Sequence, residues 1–313
     1  MSSLKEIKTR ISSVKNTLKI TSAMKMVASA KLHKAQTAIG NKLPYEQKLH
    51  HILAGLLEDD DLQKAMHDEL GFGNPHGHSA VVLQDVGLDQ IPAKDVYPRI
   101  AIVALSSNSS LCGAFNANVI KKYNETIGIL EEQGYTKDDI DIYVIGRKMA
   151  EAVRKSGYTI LDERSELADK PSYEAAFDLA SDLVDSFTSG EVSQVLLVYS
   201  HFASPASQPV VRENYLPLPL HDYDGTDGEP VDYILEPNPI SLVKHLLPQV
   251  LLLKIYTVLL DANAAEHAAR TLAMQIASDN AKDLISELTL AYNKGRQQEI
   301  TAEILDLVGG TMV

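Results

Sequence analysis

Helix-like hydrophobic patterns occupy both ends of this 313-residue chain, and a strand-like pattern occupies its middle. One helical arm covers residues 1 to about 57, and the other covers residues 249 to about 308. The chain leaves along one arm and returns along the other, which predicts an antiparallel coiled coil. Each arm would be ~80 to 90 Å long at ~1.5 Å per residue.

The N-terminal arm opens with a capping-box pattern at Ser3 and Glu6, which satisfies free backbone donors of a first helical turn. Apolar residues then alternate at spacings of four and three up to Thr21, as in a coiled-coil seam. Past Thr21 the spacing slips, so the repeat is broken there. The predicted seam comprises Ile7, Ile11, Val14, Leu18 and Thr21, followed by Met24, Ala28, Leu32, Ala35 and Ile39.

Prolines and small residues mark the C-terminal arm. Pro248 cannot sit in a helix interior without losing a hydrogen bond, so we predict a short helix over 240–247 and a long one from Pro248. Gly309 and Gly310 are expected to end the long helix. A stripe of small residues, which allows close helix approach, and its apolar continuation comprise Ala262, Ala265, Ala269, Ala273, Ala277, Ala281, Leu284, Leu288, Ala291, Ile300, Ile304 and Leu307.

Between the arms, apolar runs alternate with helical stretches, which predicts an inserted Rossmann-like α/β domain with a largely parallel sheet. The predicted strands are 100–105, 141–145 and 194–199, with closing strands at 210–216 and 233–235, and the predicted helices are 116–133, 147–156 and 172–188. The predicted domains are an N-terminal helix (1–57), a surface insertion (58–98), the α/β domain (99–236) and a C-terminal helix (237–313).

Turn residues and acids dominate the insertion at 58–98, where we predict a surface excursion with one short helix at 62–70. His76 and His78 lie within it. They lack further ligands at the spacing of a zinc site, so a solvated loop is favoured over a metal site.

Charge is unevenly distributed: residues 1–57 carry ten Lys/Arg against two acids, whereas the whole chain has a net charge of -13. The lysines alternate with apolar residues and lack interspersed aromatics, which favours an acidic protein surface over nucleic acid as a partner. The apolar run 250–260 is interrupted by Lys254 and is shorter than the roughly 20 residues of a membrane span. No signal peptide is recognisable, so membrane association is expected only through partners.

The loop at 106–116 allows two interpretations. Small residues after a strand can hold phosphate on backbone N–H groups, and Cys112 near a helix N-terminus could be reactive. However, no catalytic partner occurs at a recognisable spacing, and a lone cysteine is more often a buried apolar residue. Because Cys112 is the single cysteine, an internal disulfide is excluded, and this composition is typical of a protein in a reducing compartment.

Several segments together resemble the gamma subunit of the F-type ATP synthase. Residues 4–28 resemble its N-terminal signature, and Leu111-Cys112-Gly113-Ala114-Phe115-Asn116 resembles its α/β-domain loop. Its C-terminal signature is similar to residues 265–274, 278–281, 287–297 and 300–301. In two respects the chain departs from the family: Ser109 and Ser110 stand where an arginine and a glycine are usual, and the paired cysteines of the chloroplast form are absent.

The resemblance implies a rotor whose coil turns inside a ring of alpha and beta subunits, beside the epsilon subunit and the membrane c-ring. It implies no catalytic residue, cofactor or metal site in this chain, and a peripheral position on the cytoplasmic side of a bacterial inner membrane. The implied partner contacts are Met24, Lys25, Arg270, Arg296, Gln297 and Thr301. A coiled-coil scaffold with an α/β recognition domain is the alternative, and an enzyme using Cys112 is a third interpretation.

Overall fold

The computed structural model describes residues 4–57, 82–83, 99–219, 236 and 238–310. By their internal contacts they divide into a helical unit, Met1–Ala30 with Arg270–Val313, and an α/β unit, Lys31–Ala269. The helices are α1 (Leu4–Leu57), α2 (Phe115–Glu132), α3 (Arg147–Lys155), α4 (Glu166–Asp169), α5 (Tyr173–Thr188) and α6 (Pro239–Gly310). The strands are β1 (Val82–Leu83), β2 (Ile100–Leu105), β3 (Ile140–Ile145), β4 (Ile160–Glu163), β5 (Gln194–Ser200), β6 (Val210–Leu216) and β7 (Leu218–Pro219).

A mixed five-stranded sheet in the order β4-β3-β2-β5-β6 forms the centre of the α/β unit. Strand β2 pairs in parallel with both β3 and β5, while β6 joins the edge of β5 antiparallel. Every residue of β2 is buried, which explains its uninterrupted apolar sequence, because helices cover both faces of a parallel sheet. A separate parallel pairing joins β1 to β7.

Each face of this sheet has its own core. On one face, Val119 and Tyr123 of α2 pack with Met149 and Val153 of α3. The other face is covered by α5 together with the parts of α1 and α6 that belong to this unit. Representative buried residues of that second core are Leu53, Leu179, Leu183, Leu247 and Leu251. The long helices are therefore built into the α/β unit by apolar packing, which is the main source of helix stability in proteins.

Farther along the same unit, Leu32 and Ala35 of α1 pack against Ala264 and Ala268 of α6. Small side chains at such positions allow two helix axes to approach closely.

In the helical unit, α1 and α6 pair antiparallel. Thr21 Oγ1 lies 2.8 Å from Ser278 Oγ, and a Cβ on Gly295 would lie 3.0 Å from Leu4 Cδ2. Leu4 precedes Thr21 by 17 residues and Gly295 follows Ser278 by 17, so the register does not slip between the two contacts. Buried or half-buried residues follow this register at steps of three and four: Leu4, Ile7, Ile11, Val14, Leu18, Thr21, Lys25 and Ala28 of α1, with Met274, Ser278, Ala281, Ile285, Leu288, Tyr292 and Gly295 of α6.

This arrangement confirms the predicted fold class, an antiparallel pair of terminal helices with an inserted α/β domain. The three predicted helices of the α/β domain and the strands β2, β5 and β6 occur within one residue of their predicted bounds, whereas the short helix α4 was not predicted. The prediction missed β4, whose four residues alternate between half-buried and exposed.

Two expectations about the C-terminal arm are wrong, namely the helix break at Pro248 and the seam role of its last apolar residues. Pro248 lies inside a continuous α6, where buried neighbours such as Leu247 hold the helical path. Ser278, which the predicted seam left out, contacts Thr21, while Ala273 and Ala277 of the predicted stripe are half-buried. The bounds of α6 end at Gly310, within the glycine pair that was predicted to end the helix. Ala291, Ile300, Ile304 and Leu307 are exposed rather than seam residues, the last three because Gly295 already lies opposite Leu4.

The predicted helix at 62–70, the strand at 233–235, and His76 and His78 lie outside the described residues. One 18-residue window of the helix between Ile240 and Leu305 reaches a mean hydropathy of 1.4, enough for a membrane span by composition. Because 56% of that window is buried inside the protein, we interpret it as part of a core helix.

Candidate functional site

The carboxyl edge of a parallel sheet is where α/β proteins bind ligands, at the point where the strand order reverses. Here the order reverses at β2, because β3 and β4 lie on one side of it and β5 lies on the other. The crevice between the loops after β2 and β5 is therefore the place where a nucleotide site would be expected.

The loop after β2 uses its polar groups internally. The Ser107 backbone N–H donates to Asn116 Oδ1 at 3.0 Å, and the Ser107 hydroxyl donates to the Ser109 carbonyl at 2.7 Å. The Asn116 amide donates to the Cys112 sulfur at 3.2 Å. These bonds hold a tight turn in which the exposed Leu111 adopts a left-handed conformation, with φ of 69°. The loop is thus organised around its own side chains, whereas a phosphate site needs free donors.

The crevice itself is filled by apolar side chains of the chain. Cys112 and Phe115 form a buried cluster with Ala265 of α6, and Phe202 from the loop after β5 packs against it. Cys112 is 1% exposed and Ala265 is 0% exposed. The thiol therefore has the surroundings of a small buried apolar residue, which favours that interpretation of Cys112 over the enzymatic one.

A polar clasp joins α6 to the end of β5 next to this cluster. The two carboxylate oxygens of Asp261 contact His201 Nδ1 at 2.7 Å and accept the Phe202 backbone N–H at 3.0 Å. Burial raises the pKa of Asp261 above its ordinary value, although the contacts with His201 and Phe202 oppose that shift. Sequence reasoning missed this pair, and its one visible signal was an acid directly after the apolar run 250–260.

Asp261→Asn is expected to change how stability depends on pH. An acid whose native pKa is raised makes its stabilising contribution at low pH and loses it as pH rises through that pKa. The variant lacks this loss, so its stability relative to wild type should increase as pH rises from about 4 through the raised pKa of Asp261. Urea unfolding of both proteins across that range measures the difference.

Asp279→Asn is expected to change the pH dependence of stability in the opposite direction. Hydrogen bonds from Lys282 and Gln275 hold the pKa of Asp279 below its ordinary value. Its contribution to stability is therefore present at neutral pH and is lost on acidification. The stability of the Asp279→Asn variant relative to wild type should accordingly fall as pH rises. Parallel trends for the two variants would contradict the assignment of a raised pKa to Asp261.

The predicted partner-contact residues occupy two kinds of position in the helical unit. Met24 and Lys25 are partly buried on α1, and Arg270 is 8% exposed on α6. Arg296, Gln297 and Thr301 are all exposed, on the part of α6 beyond Gly295. The Thr301 hydroxyl donates to the Gln297 carbonyl one turn earlier, at 2.8 Å. The structure therefore groups three of the six residues on one exposed segment, which we call the α6 tip (residues 296–310).

Exposed apolar side chains lie among these polar residues of the α6 tip. They are Ile300, Ile304, Leu305 and Leu307, each exposed by more than a third. Several large apolar residues in one exposed segment indicate an interaction surface.

Comparison with known proteins identifies the family. A family model described as ATP synthase matches residues 3–312. The ATP synthase gamma chain of Bacteroides fragilis is 50% identical over 315 residues, which cover 100% of both chains. The chain belongs to the ATP synthase gamma-chain family. A more distant gamma chain, from Flavobacterium psychrophilum, is 37% identical over 99% of this chain and 98% of its own length.

Solved structures share the gamma-chain fold. A chain of the Euglena gracilis mitochondrial ATP synthase, in a structure of OSCP, F1 and the c-ring, aligns with a TM-score of 0.59 and 16% identity, covering 99% of this chain and 93% of that one. A chain of the Tetrahymena thermophila central stalk and c-ring aligns with a TM-score of 0.56 and 19% identity, covering 83% and 99%. The predicted family is confirmed, and the alternative of an unrelated scaffold is set aside.

Proposed function

We propose that this chain is the rotor shaft of an F-type ATP synthase, which couples ion flow through a membrane ring to ATP synthesis on the beta subunits by rotation. The observation that carries the proposal is similarity to gamma chains along the whole chain, at 50% identity to the Bacteroides fragilis protein. The two terminal helices paired in fixed register supply the stiff element that torque transmission requires.

The proposed partners are the alpha and beta subunits around the paired helices, and the epsilon subunit and the c-ring beside the α/β unit. The basic charge of α1 supports a contact with acidic protein surfaces, since residues 4–30 carry six Lys/Arg against one acid. The complex would hold the chain at the cytoplasmic face of a bacterial inner membrane, without inserting it.

The chain itself contributes no catalytic residue in this proposal. The crevice where a nucleotide would bind is occupied by Cys112, Phe115 and Ala265, and the loop after β2 is hydrogen-bonded internally. ATP is made on the beta subunits, and this chain changes their conformation by turning.

Arg296 is the leading candidate for a timed contact with a beta subunit. Its guanidinium is exposed on the α6 tip and can form two parallel hydrogen bonds with a carboxylate. Gln297 and Thr301 add neutral donors and acceptors on the same segment. Met24 and Lys25 would contribute from α1, whereas the buried Arg270 offers a partner only a small part of its surface.

Co-purification tests the rotor assignment. A tagged chain should bring down alpha, beta and epsilon subunits in fixed stoichiometry from its native membrane, because a shaft is a permanent part of one complex. Recovery without these subunits would refute the assignment.

Titration of the isolated full chain with ATP tests the absence of a nucleotide site. We expect no saturable binding and no hydrolysis, because the crevice is filled. A Cys112→Ala variant measured in parallel identifies any signal that depends on the thiol. One ATP bound per chain would show that a site exists.

A further inference from the structure

A buried polar contact lies within the mainly apolar seam of the helical unit. Thr21 and Ser278 are 8% and 3% exposed, and their hydroxyl oxygens are 2.8 Å apart. Thr21 Oγ1 also lies 3.2 Å from the Leu18 carbonyl oxygen. Both hydroxyl hydrogens have acceptors if Thr21 donates to Leu18 and Ser278 donates to Thr21. We call these two residues the hydroxyl pair.

A buried polar pair in a seam specifies register more than it adds stability. In the observed register, a shift of α6 by one heptad in either direction would place Ser278 opposite Ala28 or Val14. Neither side chain can accept or donate a hydrogen bond, so a buried hydroxyl would lose its partner. Smaller axial or rotational shifts would also lengthen the 2.8 Å contact. Apolar seam residues tolerate such shifts better, because dispersion contacts are not directional.

At the other end of the paired region, a close contact between Leu4 and Gly295 indicates the same register as the hydroxyl pair. A Cβ at Gly295 would lie 3.0 Å from Leu4 Cδ2, closer than ordinary van der Waals contact. A larger residue at position 295 would therefore require the Leu4 side chain to shift. The two contacts are separated by the same number of residues on both helices, so they require the same register.

We infer that Thr21 and Ser278 are positioning residues that fix the axial and rotational phase of α1 against α6 in the helical unit. This inference rests on the proposed function, because its consequence is that the partner-contact residues of the two helices keep a constant relative orientation while the shaft carries torque. Met24 and Lys25 of α1 follow the hydroxyl pair by one turn, so any rotation of α1 at that level moves them directly.

The test uses a doubly apolar variant, Thr21→Val with Ser278→Ala, which keeps the approximate side-chain shapes and removes both hydroxyls. The matched control is Thr17→Val with Ser286→Ala. Both hydroxyls are exposed and donate within their own helix: Thr17 donates to the Ser13 carbonyl at 3.2 Å, and Ser286 donates to the Lys282 carbonyl at 3.1 Å. The control therefore changes helix propensity in the same way without touching a contact between helices.

The first measurement is the distance distribution between spin labels in the full chain. The exposed Lys15 and Glu287 are replaced by labelled cysteines in a Cys112→Ala background. We expect one narrow distribution for the parent and the control, and a broader or displaced one for the doubly apolar variant. Its thermal midpoint should not fall below that of the control, because both partners are replaced together. An unchanged distribution, or loss of folding, would overturn the inference.

The second measurement is the ratio of ion-driven ATP synthesis to ATP hydrolysis in the assembled complex. We expect this ratio to fall by at least about threefold in the doubly apolar variant and to stay unchanged in the control, since misplaced contacts slow a geometrically demanding step. An unchanged ratio would refute the role in coupling. Failure of the wild-type chain to support any synthesis would instead refute the proposed function.

Discussion

Replacing Arg296 with alanine is expected to reduce ATP synthesis by the assembled complex at least about fivefold, which corresponds to the loss of ~1 kcal/mol at one rotational position. Arg296 is exposed on the α6 tip, so its removal should change the free energy of unfolding by no more than about 0.5 kcal/mol. Synthesis rates in membrane vesicles and chemical unfolding of the isolated chain measure the two quantities separately.

Lys294→Ala is the matched control for that experiment. Lys294 is also an exposed cation of α6, two residues earlier, and the family resemblance gives it no contact role. Replacing Lys294 lowers the positive charge at this end of α6 by the same amount as replacing Arg296, so any general effect of charge appears in both variants. Equal synthesis rates for Arg296→Ala and wild type, in a complex of normal composition, would contradict the contact assignment.

Ala265→Leu is expected to destabilise the α/β unit by about 1–3 kcal/mol, because it forces a larger side chain into a filled core. Ala265 has no exposed surface and packs against Cys112 and Phe115. Its enlargement should also push α6 away from the loops after β2 and β5. Thermal or urea unfolding of the full chain measures the loss.

Ala291→Leu makes the same change at an exposed position of the same helix. Its effect should stay within about 0.5 kcal/mol, as is usual for surface substitutions. Comparable losses in the two variants would mean that the crevice is not packed as described.

The sequence predicted the elements whose pattern is local and long. Strand β2 follows from an unbroken apolar run of six residues, and the α1 seam up to Thr21 follows from one periodicity over several helical turns. Strand β4 was missed because its sequence, Ile-Leu-Asp-Glu, does not alternate apolar and polar residues. The helix break predicted at Pro248 does not occur, because packing of the neighbouring residues in the α/β core outweighs the lost hydrogen bond.

Pairings between distant residues were not readable from the sequence. The alanine stripe did not indicate that Ser278 of α6 meets Thr21 of α1, because that pairing depends on the register between the two helices. The same applies to His201 and Asp261, which are brought together only after the sheet and α6 have packed. For the candidate site, the sequence indicated which residues could contact partners. That three of them lie on one exposed segment, the α6 tip, became evident only from the burial of α6 in the structure.

The close approach of Leu4 and Gly295 has a consequence for the order of α6 itself. Glycine in a helix interior weakens the helix by roughly 0.5–1 kcal/mol relative to alanine, so α6 is intrinsically prone to open at this level. The Leu4 side chain packs next to Gly295. The backbone amides around Gly295 therefore depend for protection from hydrogen exchange on a residue 291 positions earlier in the chain, and fraying of the start of α1 would appear as opening in the C-terminal helix.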